Sequence, residues 1–338
     1  MQRHVKYFLL LFFLFLFALI LNISFGSVTI PFKTVIRSFF TSENIKDSWL
    51  YILRDYRVPK AISAILVGSG LSISGLLMQT LFKNPLAGPY VLGISSGSSL
   101  GVAILILGAN LIGFSAIGLS NLNLAIASGI GAFIVLLAVV VVSKNVRNTA
   151  SILIIGLMFG SITSATISVL AYFSSAEQLQ QYLFWGFGSL GNLTWQELGL
   201  FFTFYLLGML LLLLVFKTLN SLLLGENYAK SLGVNIQKTR FILILITAIL
   251  TGVITAFSGP IAFIGLAVPH IAKMIFSTSN HKILLPASFL TGSIVMLLSD
   301  TIAQLPGSAY TLPINAITTI FGAPIVIWLL VRKKRMIT

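Results

Sequence analysis

The sequence predicts an all-α integral membrane protein of about ten transmembrane helices, with both termini cytoplasmic. Three observations carry this. Hydrophobic residues make up 57% of the 338-residue chain and charged residues only 8%, against about a quarter in a soluble domain. The mean hydropathy is +1.03. Apolar runs long enough to cross about 30 Å of hydrocarbon also recur along the chain. They lie at approximately 7–25, 61–81, 91–108, 122–142, 151–173, 195–216, 241–257, 260–276, 283–303 and 312–331.

The first run follows the basic start MQRHVK, as in a signal peptide, but no A-x-A-like cleavage site comes after it. It reads as a retained first span. The second opens after RDYRVPK, residues 54–60. Between the second and third runs, KNPLAGP (83–89) has two prolines in five residues, which excludes a regular helix and predicts a tight turn. In the third run Gly93, Gly97 and Gly101 recur every fourth residue, on one helix face, where backbones can approach closely; Gly156 and Gly160 repeat the spacing in the fifth. The runs 241–257 and 260–276 form one long stretch broken at Ser258-Gly259-Pro260. Backbone groups freed there must find partners inside the protein.

Ten spans put both termini on one side. With that side cytoplasmic, it holds Arg3, Lys6, Lys83, Lys144, Arg147, Lys217, Lys230, Lys238, Arg240, Lys273, Lys282 and Arg332 to Arg335. The outer side holds Lys33, Arg37, Lys46, Arg54, Arg57 and Lys60. This satisfies the positive-inside rule. The acids Glu43, Asp47, Asp55, Glu177, Glu197 and Asp300 fall outside or near the outer ends, and Glu226 alone lies inside.

Composition also excludes. The chain has no Cys, three His and seven acids, so disulfides, iron–sulfur clusters and a protein-built metal cage are not expected, and no cofactor is. The net charge of +14 sits at the ends of apolar runs, not in a stripe that would track nucleic acid. GISSG (93–97) matches a nucleophile elbow but opens an apolar helix with no evident His and acid partner. No P-loop and no H-E-x-x-H occur, so the chain is not expected to be an enzyme. Of the acids, only Glu197 and Asp300 fall within the spans, near their outer ends. A self-contained secondary carrier, the main alternative along with a channel, usually keeps ionisable groups at mid-depth.

Two segments remain to be explained. All six outer basic residues lie in or beside 27–60. Snorkelling from a helix end would account for Arg54, Arg57 and Lys60 singly, and an acidic partner docking from outside would account for the group. The second segment is the longest cytoplasmic connection, 217–240. Within it LLLGENYAKSLGVNIQKTR (222–240) reads as two short helices turning at Gly233, with Leu222, Leu223, Ala229, Leu232, Val234 and Ile236 as the apolar side. A loop lying on lipid would suit that pattern, but the lone acid Glu226 is poorly placed beside anionic lipid and suits a protein partner.

The ordered blocks RVPK (57–60), GSGLSISGLLMQTLFKNPLAGPYVLGISSGSSLG (68–101), LGENYAKSLGV (224–234), SGPIAFIGLAVPHIAK (258–273), SD (299–300) and LPINAITTIFGAPIVIWLL (312–330) resemble the permease subunits of type II ABC importers for iron–siderophore complexes, haem and vitamin B12. The resemblance runs from about residue 54 to the end. It implies a vitamin B12 permease-like bundle, a single transmembrane permease domain over 1–338, in the bacterial cytoplasmic membrane. It implies three protein partners: a cytoplasmic ABC ATPase dimer, an external substrate-binding protein, and a second permease subunit, the same or a related chain. Gly225, Glu226, Ala229, Ser231, Leu232 and Gly233 match positions that couple to the ATPase. Arg57 and Lys60 match residues that dock onto the binding protein, and Asn84 and Leu86 match positions near the cytoplasmic gate. The chain departs from the pattern at Gln304, where an outer Arg is common, and at Thr311 and Asn315, where Glu and Gly are.

Overall fold

A computed structural model describes residues 2–26, 28–41, 45–109, 120–143, 149–191, 193–305 and 310–334. Glu43, Lys144, Arg147 and Arg335 lie outside the described residues. Every regular element among the described residues is helical, and each of the ten apolar runs is a helix. In chain order they are α1 (Gln2–Ser24), α2 (Phe32–Ser38), α3 (Asp47–Tyr51), α4 (Val58–Phe82), α5 (Ile94–Ile106), α6 (Asn121–Ser143), α7 (Thr149–Tyr172), α8 (Ala176–Gly186), α9 (Trp195–Leu223), α10 (Glu226–Ser231), α11 (Ile236–Ser258), α12 (Ile264–Phe276), α13 (His281–Ala303) and α14 (Ile314–Lys334). A π turn, Ile52–Arg57, leads into α4, and a 3₁₀ turn, Pro89–Leu92, precedes α5.

Seven described helical stretches are long and apolar enough to cross a membrane, and α5, α12 and residues 314–328 of α14 are shorter apolar helices. The run 91–108 is shorter than its hydropathy suggests. Gly93 takes φ +74°, a left-handed conformation that ends the 3₁₀ turn, so the helix begins only at Ile94. The connection 217–240 shrinks for the opposite reason. Helix α9 continues through Leu223, which leaves 224–235 with only the short α10 between two long helices.

The chain forms two compact units. The first comprises residues 1–73, 189–200 and 261–338. In it α1 packs on α13, and α12 on α13. At the contact of α4 with α13, a Cβ at Gly68 would stand 2.2 Å from the Gly292 carbonyl oxygen. Only glycine permits that approach, and the Ser72 hydroxyl donates across it to the Ser288 carbonyl at 2.8 Å. The chain that follows the break, from Ile261, also lies in this unit. The Ala262 N–H donates to Asn315 Oδ1 at 3.1 Å, so Asn315 satisfies a freed backbone group.

The second unit comprises residues 74–188 and 201–260. Here the glycine stripe of α5 packs on α6. A Cβ at Gly97 would meet the Gly131 carbonyl at 2.5 Å, and one at Gly101 the Ala127 carbonyl at 2.0 Å. Gly93 approaches α7 at the Gly156 carbonyl, 2.8 Å from its would-be Cβ. Helix α8 lies outside the ten runs. It starts with a capping box, Ser175 and Gln178. Its Leu179, Tyr182 and Trp185 pack on the buried end of α5 at Val102, Ala103, Ile106 and Leu107. The Gln178 Nε2 and Ser174 Oγ donate to the carbonyls of Ile106 and Leu107 at 3.0 and 3.2 Å, satisfying acceptors that the end of α5 leaves open.

Candidate functional site

Three places in the two units gather the candidate functional residues. The first is the polar cluster at the end of α1 and the start of α4. Asp300 is 3% exposed. Lys60 Nζ lies 3.2 Å from one of its oxygens, and Asn22 Nδ2 and Gln304 Nε2 donate to the other at 2.8 and 2.7 Å. The carboxylate is thus paired and hydrogen-bonded, the condition under which a charge can be buried. Gln304 is a member of this set, one helical turn beyond Asp300. Arg57 is 7% exposed. Its Nη1 donates to the carbonyls of Ile23 and Ser24 at 2.8 and 2.7 Å, and its Nη2 to that of Val28. A cation on the last carbonyls of α1 complements the helix dipole and fills acceptors that have no partner in the helix. Gly26 leaves room for it: a Cβ there would stand 2.8 Å from Arg57 Nη2 and the guanidinium would have to shift.

Arg57 and Lys60 therefore spend their charge within the protein. The rest of the basic segment, Lys33, Arg37, Lys46 and Arg54, is exposed. Lys46 stands over the ring of Trp49 at 5.1 Å. Helix α2 buries Val35 and leaves Phe32, Ile36 and the following Phe39 and Phe40 outward. Glu197, the other acid within an apolar run, caps the start of α9 with Thr194. Thr194 N donates to its carboxylate at 2.8 Å, and Glu197 N to Thr194 Oγ1 at 3.3 Å. Both acids inside the runs have structural partners.

The second place is the segment 222–240. Gly225 takes φ +115° and ψ 153°, a combination essentially restricted to glycine, and it sets the start of α10. The helix ends in a Schellman motif. The Val234 N–H donates to the Ala229 carbonyl at 3.0 Å and Gly233 N–H to Lys230 at 2.9 Å, with Gly233 at φ +80°. Asn235 then caps α11 by accepting from Lys238 N at 3.0 Å. Of the six residues assigned to an apolar side, Leu222, Ala229 and Ile236 are buried. Leu223 and Leu232 point outward, because the single short helix turns only one narrow face inward. Leu224, Tyr228 and Leu232, at 67%, 50% and 57% exposure, turn outward; Tyr228 and Leu232 lie one turn apart at the end of α10, and Leu224 precedes the break at Gly225. Ser231 is exposed, its hydroxyl held on the Tyr228 carbonyl at 2.8 Å.

Glu226 is not a lone acid. Arg240 Nη2 lies 3.0 Å from its Oε1, with the side chains 14% and 37% exposed for Arg240 and Glu226. Lys83, the residue after α4, brings its Nζ to 3.7 Å from where a Gly225 Cβ would lie. Sequence reading singled out Glu226 but missed Arg240, Lys83, Leu224 and Tyr228. The spacing of Leu224, Tyr228 and Leu232 was available there, and so was a basic residue one turn into the following helix. The neighbouring turn 83–88 is built on Asn84, whose Oδ1 accepts from Leu86 N at 2.9 Å, while the Leu86 side chain is 40% exposed.

The third place is a hydroxyl-lined hollow in the second unit. A cavity of about 350 Å³ is lined by Ser95, Ser96, Ser99, Ser164, Ser168, Ile167 and Tyr182. A second, of about 460 Å³, shares Ser96 and Ser164 and continues past Gly93, Gly156, Gly160 and Ser161. No charged side chain lines either one. Among the described residues no group of His, Cys, Asp and Glu could hold a metal.

With this geometry in place, comparison with known proteins is specific. The FecCD transport family matches residues 14–332. The chain is 36% identical over 314 residues to the hemin transport system permease protein HmuU of Yersinia pestis, covering 91% of this chain and 90% of that one. It is 37% identical over 280 residues to the vitamin B12 import system permease protein BtuC of Klebsiella pneumoniae, covering 82% of each. A solved structure described as a metal-chelate type ABC transporter in an inward-facing conformation superposes with TM-score 0.84 at 30% identity, over 97% of this chain and 99% of that one. PsaBC from Streptococcus pneumoniae shares the fold, with TM-score 0.56 at 15% identity. On the extent of the family match and of these identities, the chain is a membrane protein belonging to the FecCD transport family.

Proposed function

We propose that the chain is the permease subunit of a binding-protein-dependent ABC importer. It would carry an iron–siderophore, haem or corrinoid complex across the bacterial cytoplasmic membrane, with a second permease subunit of the same or a related chain beside it. In this reading residues 1–338 act as one permease domain, ten helices cross the bilayer, and both termini are cytoplasmic. The observation that carries it is the set of outward apolar side chains Leu224, Tyr228 and Leu232 on and beside a glycine-bracketed helix between two long apolar helices. A set of that kind suits a groove in a partner that supplies the energy. The chain has no P-loop of its own. Gly225, Glu226, Ala229, Ser231, Leu232 and Gly233 then form the handle of a cytoplasmic ABC ATPase dimer. The turn carrying Asn84 and Leu86 serves as the cytoplasmic gate.

The outer segment 28–60 receives the external substrate-binding protein. Arg57 and Lys60 contribute by fixing the ends of that segment to α1 and Asp300, while the exposed Lys33, Arg37, Lys46 and Arg54 provide the charge that an acidic partner meets. The hydroxyl-lined hollow forms part of the wall of the path. Its Ser residues offer hydrogen bonds without a fixed charge that would hold the cargo too tightly to release. Cycling then follows from two rigid arrangements exchanged as the ATPase closes and opens.

A secondary carrier or channel is disfavoured because both acids inside the apolar runs are committed to structural partners. The test is purification of the tagged chain in mild detergent. A stoichiometric P-loop ATPase at its side supports the proposal, and an intact chain that transports without any ATPase refutes it.

A further inference from the structure

We infer that the Glu226–Arg240 ion pair is a strut that carries movement of α10 into α11, with Arg240 as a positioning residue for energy coupling. This rests on the importer reading above and assigns a different task to a different face. The contact that would hold an ATPase is made by the exposed side chains of Leu224, Tyr228 and Leu232. The pair lies on the inner side of that handle, with the Arg240 side chain 14% exposed and that of Glu226 37%. Glu226 is the first residue of α10 and Arg240 the fifth of α11, and the pair closes across the turn at Gly233. That turn is short and closed by the backbone hydrogen bonds around Gly233, whose positive φ a glycine adopts without strain. A charge-assisted hydrogen bond of 3.0 Å across it fixes the angle.

The surroundings support a mechanical part. Thr80, Leu81, Lys83, Leu222 and Ile236 close around the pair and leave a cavity of about 10 Å³, room for one water at most. The ends of α4, α9 and α11 thus meet α10 at one carboxylate, flanked by Arg240 and, beside Gly225, by Lys83. Close-packed contacts pass displacement on and do not absorb it. With the carboxylate removed, Lys83 and Arg240 would be left with like charges facing one small space. With Arg240 removed, α10 would still present its outward apolar side chains but would lose the side-chain tie that carries its movement into α11.

The absence of native Cys makes the test direct. Ser164→Cys in the hydroxyl-lined hollow reports access through the rate of maleimide labelling of this chain. The sample is the chain co-purified with its ATPase in liposomes, compared without nucleotide and with ATP and vanadate. In the complex carrying only Ser164→Cys we expect the rate to change at least threefold between the two states. In Arg240→Gln the ATPase should remain bound and hydrolyse ATP while the change disappears. Arg240→Lys should keep part of it, and the exchange Glu226→Arg with Arg240→Glu should restore most of it. A full nucleotide response in Arg240→Gln overturns the strut. So does loss of the ATPase from that variant, which would put the pair in the docking surface, and so does an exchange that restores nothing. No ATPase, or no response, in the complex with an intact Arg240 would instead refute the importer reading on which the strut rests.

Discussion

Asp300 and Glu226 each face basic partners, but their surroundings differ. Asp300 is 3% exposed, and Lys60, Asn22 and Gln304 use both of its oxygens. The Glu226 side chain is 37% exposed beside apolar side chains turned to the outside. The first arrangement leaves nothing for a partner, and the second keeps part of its carboxylate at the surface. A charge in an apolar chain is therefore informative only with its burial and partners. The same basic residue type fixes a helix end at Arg57 and braces a turn at Arg240.

The comparison can be broken by removing the acids. Asp300→Ala should cost on the order of 3 kcal/mol of stability, because a buried network loses its acceptor. Asp300→Asn should recover part of it by keeping a carbonyl for Asn22. Thermal unfolding in mild detergent reads both. Glu226→Ala should cost below about 1 kcal/mol in the same assay, since a half-exposed pair contributes little to stability. Equal losses at the two sites would erase the distinction between them.

Gly225→Ala comes next. The strain of a side chain at φ +115° should cost about 1–3 kcal/mol locally. It should tilt α10, lowering ATPase co-purification, while helical content by circular dichroism stays unchanged.

The smallest effects on the fold belong to the exposed basic residues. Lys33→Glu with Arg37→Glu should leave stability unchanged and weaken docking of the substrate-binding protein roughly tenfold, with the deficit shrinking at high salt. Arg57→Glu should fail differently, through loss of stability, because it removes the donors on Ile23, Ser24 and Val28. If Arg57→Glu weakened docking with no loss of stability, its side chain would belong to the docking surface after all.

Which of these features the sequence disclosed follows from how local each one is. Hydropathy is a local property, and the ten apolar runs are all helices. The turn at Gly233 was likewise readable from a short polar stretch bracketed by glycines. Helix α8 was not, because AEQLQQYLFWG mixes polar and apolar residues, although the Ser175 and Gln178 spacing announces its start. The Asp300 cluster was hidden more deeply. Lys60 and Asp300 are 240 residues apart, and nothing in the local sequence of either names the other. Arg57 shows the same limit: an arginine at a helix start looks exposed in sequence, and only the fold brings the end of α1 to it. The departures at Gln304 and Asn315 also became intelligible only in place, as partners of Asp300 and of the Ala262 N–H.

The most direct test of the account is the amount of P-loop ATPase that co-purifies with the tagged chain when Leu224, Tyr228 and Leu232 are together changed to Ser. Ala229 and the Glu226–Arg240 pair stay intact in that variant, so the segment keeps its buried side. The account predicts a correctly inserted, stable chain that has lost its ATPase. Full retention of the ATPase by that variant would contradict it, since the outward side chains on and beside α10 would then hold no partner.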